Sequence, residues 1–426
     1  MTRNHLPFII CMSMFLVWNS FLFGQTAENQ SDTVRKNSAN IFIDCVDCDQ
    51  DYFHDQITFV NFVREPKDAH VHLLITSQTT GSGGTEYSLL FIGQKQFSGQ
   101  TDTLICNTNQ DATPDELRKA QVKVIKIGLA RYVAKFPLSG FLDVSYNAPQ
   151  KQAIVEDKWR SWVFQIDFGG YASGEKLYSS TSLWSTLSAQ KVTPDWKIEI
   201  NAGNYYTDNK YYSDTNYKKY YYRAIFRDNS ITHKAVKSLN SHWSAGEGLS
   251  VSTSNYSNTQ LFYSIYPLIE YNLFTYDQST RKQLRFLYGI GYEHTDYINT
   301  TIYNKLHDNK FGQKLMITFQ LKQKWGSIAF TARSFNFLDD FSKHNIRLQP
   351  SINWRIVKGL SVSVSGTVGW LRDQIYLPIE NMTYEEILLK QKQQATSYFY
   401  NCNFGLTYSF GSIYNNVVNP RFGGYY

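Results

Sequence analysis

The segment Leu360-Ser361-Val362-Ser363-Val364-Ser365-Gly366-Thr367-Val368-Gly369-Trp370 alternates apolar residues with small polar ones. A period of two is that of a β-strand with one apolar and one polar face. Similar alternation occurs in residues 162–169, 284–293 and 346–356, and again near the C-terminus in residues 398–410. Several such strands in series are typical of a membrane β-barrel, in which lipid-facing and lumen-facing residues alternate.

About twelve alternating segments follow one another, and an even number suits a closed antiparallel barrel. They start near residues 160, 177, 195, 217, 239, 260, 281, 312, 325, 344, 359 and 396. Connections 193–195, 323–325 and 357–359 are tight turns, whereas 205–217, 296–311 and 372–396 read as long loops, the last with helical spacing over 383–394. A soluble β-sandwich would alternate too, but its exposed faces would carry more Lys and Glu.

The composition supports the barrel. Aromatic residues make up 16% of the 426 residues and charged residues only 18%, below the roughly 25% of ordinary soluble domains. Mean hydropathy is −0.39, and no apolar run after residue 24 approaches the ~20 residues of a spanning helix. We therefore expect an all-β transmembrane antiparallel barrel over residues 157–411, with a C-terminal tail over 412–426.

The N-terminus indicates export. Arg3 precedes a mostly apolar stretch over residues 6–18, which is typical of a secretory signal peptide; a single anchoring helix is the alternative. We expect a signal peptide over 1–24, cleaved between about Gly24 and Ala27, and a flexible leader over 25–39. The expected location is the cell outer membrane.

Residues 40–145 read as a separate α/β domain. Strands are expected over 41–43, 70–76, 87–92 and 103–106, and helices over 52–63 and from Thr113, where an N-cap, a proline and early acids coincide. The order is βαββ(β)α, and the second helix ends before Pro137. Because both ends of an even-stranded barrel lie on one side, the domain is expected in the periplasm.

The chain resembles an uncharacterised kind of exported Bacteroidota-type outer-membrane protein. The resemblance rests on segments 44–49 (DCVDCD), 76–84 (TSQTTGSGG) and 411–422 (GSIYNNVVNPRF), and it implies no activity. The order of elements in the N-terminal domain also resembles TolB-type and curli-secretion-type periplasmic domains. The final strand, with Phe404, Leu406, Tyr408 and Phe410, resembles the signal read by the barrel-assembly machinery, although residues 411–426 follow it.

Cys45 and Cys48 are spaced as CxxC between a predicted strand and a predicted helix. The interpretations are a structural disulfide or inert thiols, a redox or metal site, or pairing with Cys106. Four neighbouring aspartates disfavour a thiolate. His54, His70 and His72 could ligate metal but are more often plain polar positions, and residues 81–84 lack the ending of a phosphate-binding loop.

The predicted lumen-facing charges have mixed signs, as expected of ion pairs that fill a barrel or of a polarised constriction. They are Asp167, Lys197, Glu199, Arg223, Arg285, Glu293, Lys322, Arg347 and Arg355. Tyrosine clusters over 205–206, 211–212 and 217–222 read either as an aromatic girdle or as a partner-facing surface.

The expected function is a pore or transport role with a periplasmic docking or gating domain. A structural or assembly anchor that binds periplasmic partners is the alternative, and an outer-membrane hydrolase using His242 or His294 is the least favoured. We expect no enzymatic activity and no cofactor, catalytic or metal site. Expected partners are outer-membrane lipids, the barrel-assembly machinery and a periplasmic protein, with no nucleic acid.

Overall fold

The computed structural model describes residues 38–46, 48–81, 83–143, 157–215, 218–379 and 395–411. These residues form a five-stranded sheet with helices, followed by a twelve-stranded sheet. The expected α/β domain and twelve-stranded antiparallel array are thereby confirmed. The predicted signal peptide, most of the leader, the helical spacing over 383–394 and the tail lie outside the described residues.

The N-terminal sheet has the order β2-β1-β3-β4-β5, with β1 parallel to β2 and β3 and the other pairs antiparallel. The strands are β1 Asn40–Asp44, β2 Asn61–Phe62, β3 Val71–Thr79, β4 Thr85–Gly93 and β5 Thr101–Thr108, and the α-helices are α1 Gln50–Gln56 and α2 Pro114–Val133. Short 3₁₀ turns lie at Pro66–Asp68, Lys95–Phe97 and Pro137–Phe141.

Helix α2 begins where the sequence predicts. The Thr113 hydroxyl accepts a hydrogen bond from the Glu116 amide, and the Glu116 carboxylate accepts one from the Thr113 amide. This capping box satisfies two backbone donors that have no partner inside the helix. The apolar stripe of α2 covers one face of the sheet, and at Gly128 a Cβ would lie 2.1 Å from the Phe91 ring. Only glycine permits that close approach of helix and sheet.

The helix predicted over residues 52–63 is wrong in its second half. Helix α1 ends at Gln56, and the chain turns to form β2, which pairs in parallel with β1. Ile57 and Val60 are buried in the core. Because a continued helix would bury them as well, their spacing cannot distinguish a longer helix from the observed turn into β2. The short strand also gives the edge of β1 a backbone partner, because the Val63 amide donates to the Ile41 carbonyl.

The larger sheet is a meander in which every strand pairs with its neighbours in sequence. Its strands are β6 Trp162–Gly174, β7 Tyr178–Val192, β8 Trp196–Thr215, β9 Lys218–Ser238, β10 Trp243–Ser254, β11 Thr259–Asn272, β12 Lys282–Tyr297, β13 His307–Gln323, β14 Gly326–Phe337, β15 His344–Val357, β16 Leu360–Leu371 and β17 Tyr398–Tyr408. Strands β6 and β17 are its two edges and do not pair with each other in the described residues.

The loop predicted over 205–217 is wrong. Strand β8 runs to Thr215 and β9 starts at Lys218, so this region is a long hairpin. The hairpin extends past β10, which pairs with β9 only as far as Asp228. Tyrosine favours strands, and the tyrosine clusters lie on both strands of the hairpin.

The two faces of the sheet differ sharply. Residues directly opposite each other in an antiparallel sheet share a face, so the register assigns each side chain. Val364, for example, lies between Ile352 and Phe404 on an apolar face, and its neighbour Ser363 lies between Asn353 and Gly405 on a polar face. Among the described residues, no helix has the length and apolar character needed to cross a membrane.

Candidate functional site

The N-terminal domain lies against the short-turn end of the large sheet. Near one edge of that sheet, Gln110 donates to Gln165 of β6 over 2.6 Å, and a Cβ on Gly81 would lie 2.7 Å from Val192 at the end of β7. Near the other edge, Lys358 in the β15–β16 turn pairs with Asp68 at 2.7 Å. The domain therefore bridges the two halves of the sheet, and we call this contact region the docking face.

The centre of the docking face is a bidentate ion pair. Arg355 of β15 donates to both carboxylate oxygens of Asp44 over 2.7 and 2.8 Å. His72, whose side chain is fully buried, contacts the same carboxylate at 3.2 Å, and the Arg355 guanidinium lies 5.1 Å from the centre of the Phe42 ring. Paired hydrogen bonds of this kind are strong and fix the relative orientation of the two groups.

Burial acts to raise the pKa of the Asp44 carboxyl, but hydrogen bonds from His72 and Arg355 outweigh it and lower the pKa to about 2. The carboxylate is therefore ionised throughout the physiological range. The docking face is held by a fixed charge pair over that range.

The sheet of the domain buries both of its faces. One face packs on α1 and α2 through residues such as Leu73 and Leu89. The other carries His72, Leu74 and Leu90, which are also buried although neither α-helix covers them. Leu74 lines a cleft toward the large sheet, so this second face is directed at the docking face.

Two clefts flank the ion pair. One of about 390 Å³ lies between Phe42, residues 64–67 and the β13–β14 and β15–β16 turns. The other, of about 480 Å³, lies between Asp44, residues 74–76 and polar-face residues of the strands, which include Ser327, Asn353, Ser363 and Thr407. The domain thus sits at the end of the polar face without filling the space in front of it.

The polar face carries further connected cavities and paired charges. Volumes of about 930 and 350 Å³ share the lining residues Lys234, Leu268 and Leu287. The ion pairs on this face are Lys197–Glu199 at 2.8 Å, Lys234–Glu199 at 2.5 Å, Arg285–Glu270 at 3.5 Å and Lys314–Glu293 at 3.5 Å. The large sheet thus encloses polar space along one side.

The strand register places eight of the nine predicted inward charges on this polar face. They are Asp167, Lys197, Glu199, Arg285, Glu293, Lys322, Arg347 and Arg355. Arg223 was assigned wrongly. It is opposite Lys210 on the other face, at the far end of the β8–β9 hairpin, where it forms a bidentate pair with Asp208 at 2.8 Å. Polar residues occupy both faces of the hairpin there, so alternation no longer distinguishes them.

At the opposite end of the sheet, the connecting loops meet. The Ile302 amide donates to the Leu377 carbonyl over 2.8 Å, and the Asn258 side chain donates to the Tyr376 carbonyl over 2.9 Å. These contacts join the β16–β17 connection to the β10–β11 and β12–β13 connections, which belong to strands β10 to β13 of the same sheet. Contacts of this kind are expected of a sheet that curls round, as an up-and-down barrel does.

The cysteine and histidine candidates have structural partners. Cys45 and Cys48 form a disulfide directly after β1, and Cys106 is free and buried. The His70 ring accepts a hydrogen bond from the Asn40 amide over 2.8 Å, and His54 packs on Phe62. No group of three or more His, Cys, Asp or Glu among the described residues is arranged to hold a metal ion.

The histidines considered for a hydrolase also bond to ordinary groups. His242 Nδ1 lies 2.8 Å from the Asn272 carbonyl, and the His294 ring contacts Asn309 at 2.7 Å and Asp296 at 3.2 Å. None of the described contacts joins either ring to a serine, threonine or cysteine nucleophile. Nothing in this geometry favours a hydrolytic site.

The predicted assembly signal lies at the last edge of the sheet. Leu406 and Tyr408 are in β17, on the apolar face with Phe404, and Phe410 follows the strand. All four side chains are exposed, Phe404 by 87%. They form a terminal apolar edge, and their recognition by the assembly machinery stays a prediction.

The low pKa of Asp44 predicts how docking depends on pH. Its folded value of about 2 lies below the ordinary 3.8, so the stabilisation is complete above pH 3.8 and is lost as the pH falls through 2. The difference corresponds to about 2 kcal/mol. In calorimetric melts at pH 7, Asp44→Asn should have a lower melting temperature than the parent, and this difference should shrink toward pH 2. A difference in melting temperature that stays constant down to pH 2 would contradict the ion pair.

Comparisons with known proteins give only weak structural matches. No family model and no curated protein matches the chain. The NanC porin aligns over 57% of this chain and 99% of its own with 11% identity and a TM-score of 0.28. The translocator domain of autotransporter NalP from Neisseria meningitidis aligns over 58% and 81% with 9% identity and a TM-score of 0.20. Likeness this weak does not bear on function.

Proposed function

We propose that this chain is an outer-membrane β-barrel protein with a pore or transport role, in which a periplasmic N-terminal domain docks on the mouth of the barrel and gates it. Support for the barrel comes from the twelve-stranded antiparallel meander, its apolar and polar faces, and the meeting of distant loops. Polar space along one face and lipid-compatible residues along the other suit a barrel wall.

The observation that carries the gating role is the position of the domain at the end of the polar face. Asp44 and Leu74 of the domain share the 480 Å³ cleft with polar-face residues of β13 to β17. A domain in this place narrows the entrance, because any solute moving along the polar face at that end must pass it. Salt links such as Lys358–Asp68 can break and re-form without unfolding either part.

Conductance in planar bilayers tests this role. The full-length protein should conduct weakly, and a variant with Arg355→Glu and Lys358→Glu should conduct more, because both substitutions place carboxylates opposite Asp44 and Asp68. A matched double variant, Lys191→Glu and Arg227→Glu, makes the same charge change on the other face and should conduct like the parent.

The alternative role, an anchor for periplasmic partners, gives a different result. An anchor would show no conductance difference between the two double variants, and the undocked variant would lose crosslinks to periplasmic proteins. Equal conductance together with unchanged crosslinks would contradict both roles.

A further inference from the structure

Charges on the polar face are segregated. Strands β13 to β15 place six cations on it, and the register adds one acid, Asp308, at the loop end. The six are Lys310, Lys314, Lys322, Arg333, Arg347 and Arg355. Strands β6 to β12 carry the remaining polar-face acids, which are Asp167, Glu199, Asp228, Glu270 and Glu293. Strands β6 to β12 also carry the polar-face cations Lys197, Lys234 and Arg285. One wall is therefore basic, and the wall across from it holds charges of both signs.

Two arginines stand directly opposite each other on the basic wall. Arg333 of β14 and Arg347 of β15 are register partners, so their Cβ atoms are about 5 Å apart. Like charges in this arrangement destabilise a sheet. Both side chains are exposed on the polar face rather than buried in protein.

Neither arginine forms an ion pair within 4 Å among the described residues, although Glu270 and Glu293 each pair with a cation elsewhere on the face. The Asp373 carboxylate, which accepts a hydrogen bond from Asn345, interacts with the Arg347 charge only over a longer distance. Arg347 is held instead by a hydrogen bond from its Nε to the Asn345 side chain over 3.0 Å and by the Phe399 ring, 5.7 Å from its guanidinium. These contacts position the Arg347 guanidinium without forming a direct ion pair.

The next position along this row is a glycine covered by an aromatic ring. Gly369 of β16 is the register partner of Arg347, and the Phe399 ring lies over it. The row thus presents two guanidinium groups beside a glycine and an aromatic ring. Guanidinium forks match the planar geometry of carboxylate and phosphate groups.

We infer that Arg333 and Arg347 form an anion-binding site that makes the pore selective for small solutes bearing a carboxylate or a phosphate. The selectivity part of this inference rests on the proposed pore function, whereas the anion-binding site does not depend on it. A bound anion offsets the repulsion between the two guanidinium groups, and the basic wall draws anions toward them.

Reversal potentials across a KCl gradient measure selectivity. The full-length protein should favour chloride over potassium, and the double variant Arg333→Gln and Arg347→Gln should lose most of that preference. Lys191→Gln with Arg227→Gln removes the same charge from the other face and should keep it. A parent that is cation-selective or unselective would overturn the inference, as would an Arg333→Gln and Arg347→Gln variant that is as anion-selective as the parent.

A binding experiment with inorganic phosphate separates this inference from the pore proposal. In detergent at constant ionic strength, phosphate should raise the melting temperature of the parent and of the control but not of the Arg333→Gln and Arg347→Gln variant. That variant should also melt higher than the parent when phosphate is absent, because the repulsion is gone. Absence of conductance would overturn the pore proposal. The phosphate-dependent shift in melting temperature would then still test the anion-binding site by itself. Equal shifts in all three proteins would overturn the site.

Discussion

Replacing Val364 with Arg is expected to destabilise the folded protein by about 2–4 kcal/mol, the cost of a cation at the hydrocarbon midplane of a membrane barrel. Val364 lies between Ile352 and Phe404 on the apolar face of β16. No acidic residue is its register partner on either neighbouring strand, so an arginine there would face lipid without compensation.

The matched control is Ser363→Arg, one residue away on the same strand. Ser363 lies on the polar face and lines the 480 Å³ cleft, where a long cation can reach water. Its substitution should cost much less. Urea unfolding in lipid vesicles, with the heat-dependent gel mobility of folded samples, compares the two. Equal losses would mean that the two faces do not separate lipid from water.

Arg355→Ala is expected to weaken docking by about 2 kcal/mol, or about thirtyfold in the docking equilibrium. The substitution leaves Asp44 partly buried with His72 as its hydrogen-bond partner and removes the guanidinium from the Phe42 ring. Breaking one partner of such a pair costs more than the pair contributes, because a carboxylate is left desolvated.

A zero-length carbodiimide crosslink between Lys358 and Asp68 reports docking directly, since their charged atoms are 2.7 Å apart. The yield of that crosslink should fall several-fold in Arg355→Ala. Arg347→Ala, on the same strand and face but without contact to the domain, should leave it unchanged. Unchanged crosslinking in Arg355→Ala would show that the turn contacts hold the domain without the ion pair.

Local sequence patterns were sufficient to predict the strands of the large sheet. Alternation over 360–370 and 398–410 comes from the two environments of each strand, and such a signal survives without knowledge of the fold. The capped start of α2 at Thr113 was predictable for the same reason, because every group involved lies within a few residues. Both strands of the β8–β9 hairpin were predicted, but their extension through 205–217 was missed because neither face stays apolar toward the tip.

The docking face could not be predicted in the same way. Arg355 was expected to point inward, but its partner Asp44 had been read only as a charge crowding the cysteines. Asp68 and Lys358 carried no signal at all. These pairs depend on how the two sheets meet, and no spacing along a single chain encodes that distance. The burial of the second face of the domain sheet is visible in the sequence at one place. Strand β3 begins with a nearly continuous apolar run, which is typical of a strand buried on both faces.

The bond between Asp44 and Arg355 joins residues 311 positions apart in the chain. All described strand pairs of the large sheet, by contrast, join consecutive segments and can form by successive local additions. Asp44 is synthesised before every strand of the large sheet, and Arg355 lies on the tenth of those twelve strands. Closing so long a loop carries a high entropic cost until the intervening strands have assembled. We therefore expect docking to be a late event in biogenesis, with the N-terminal domain still undocked in an unassembled chain.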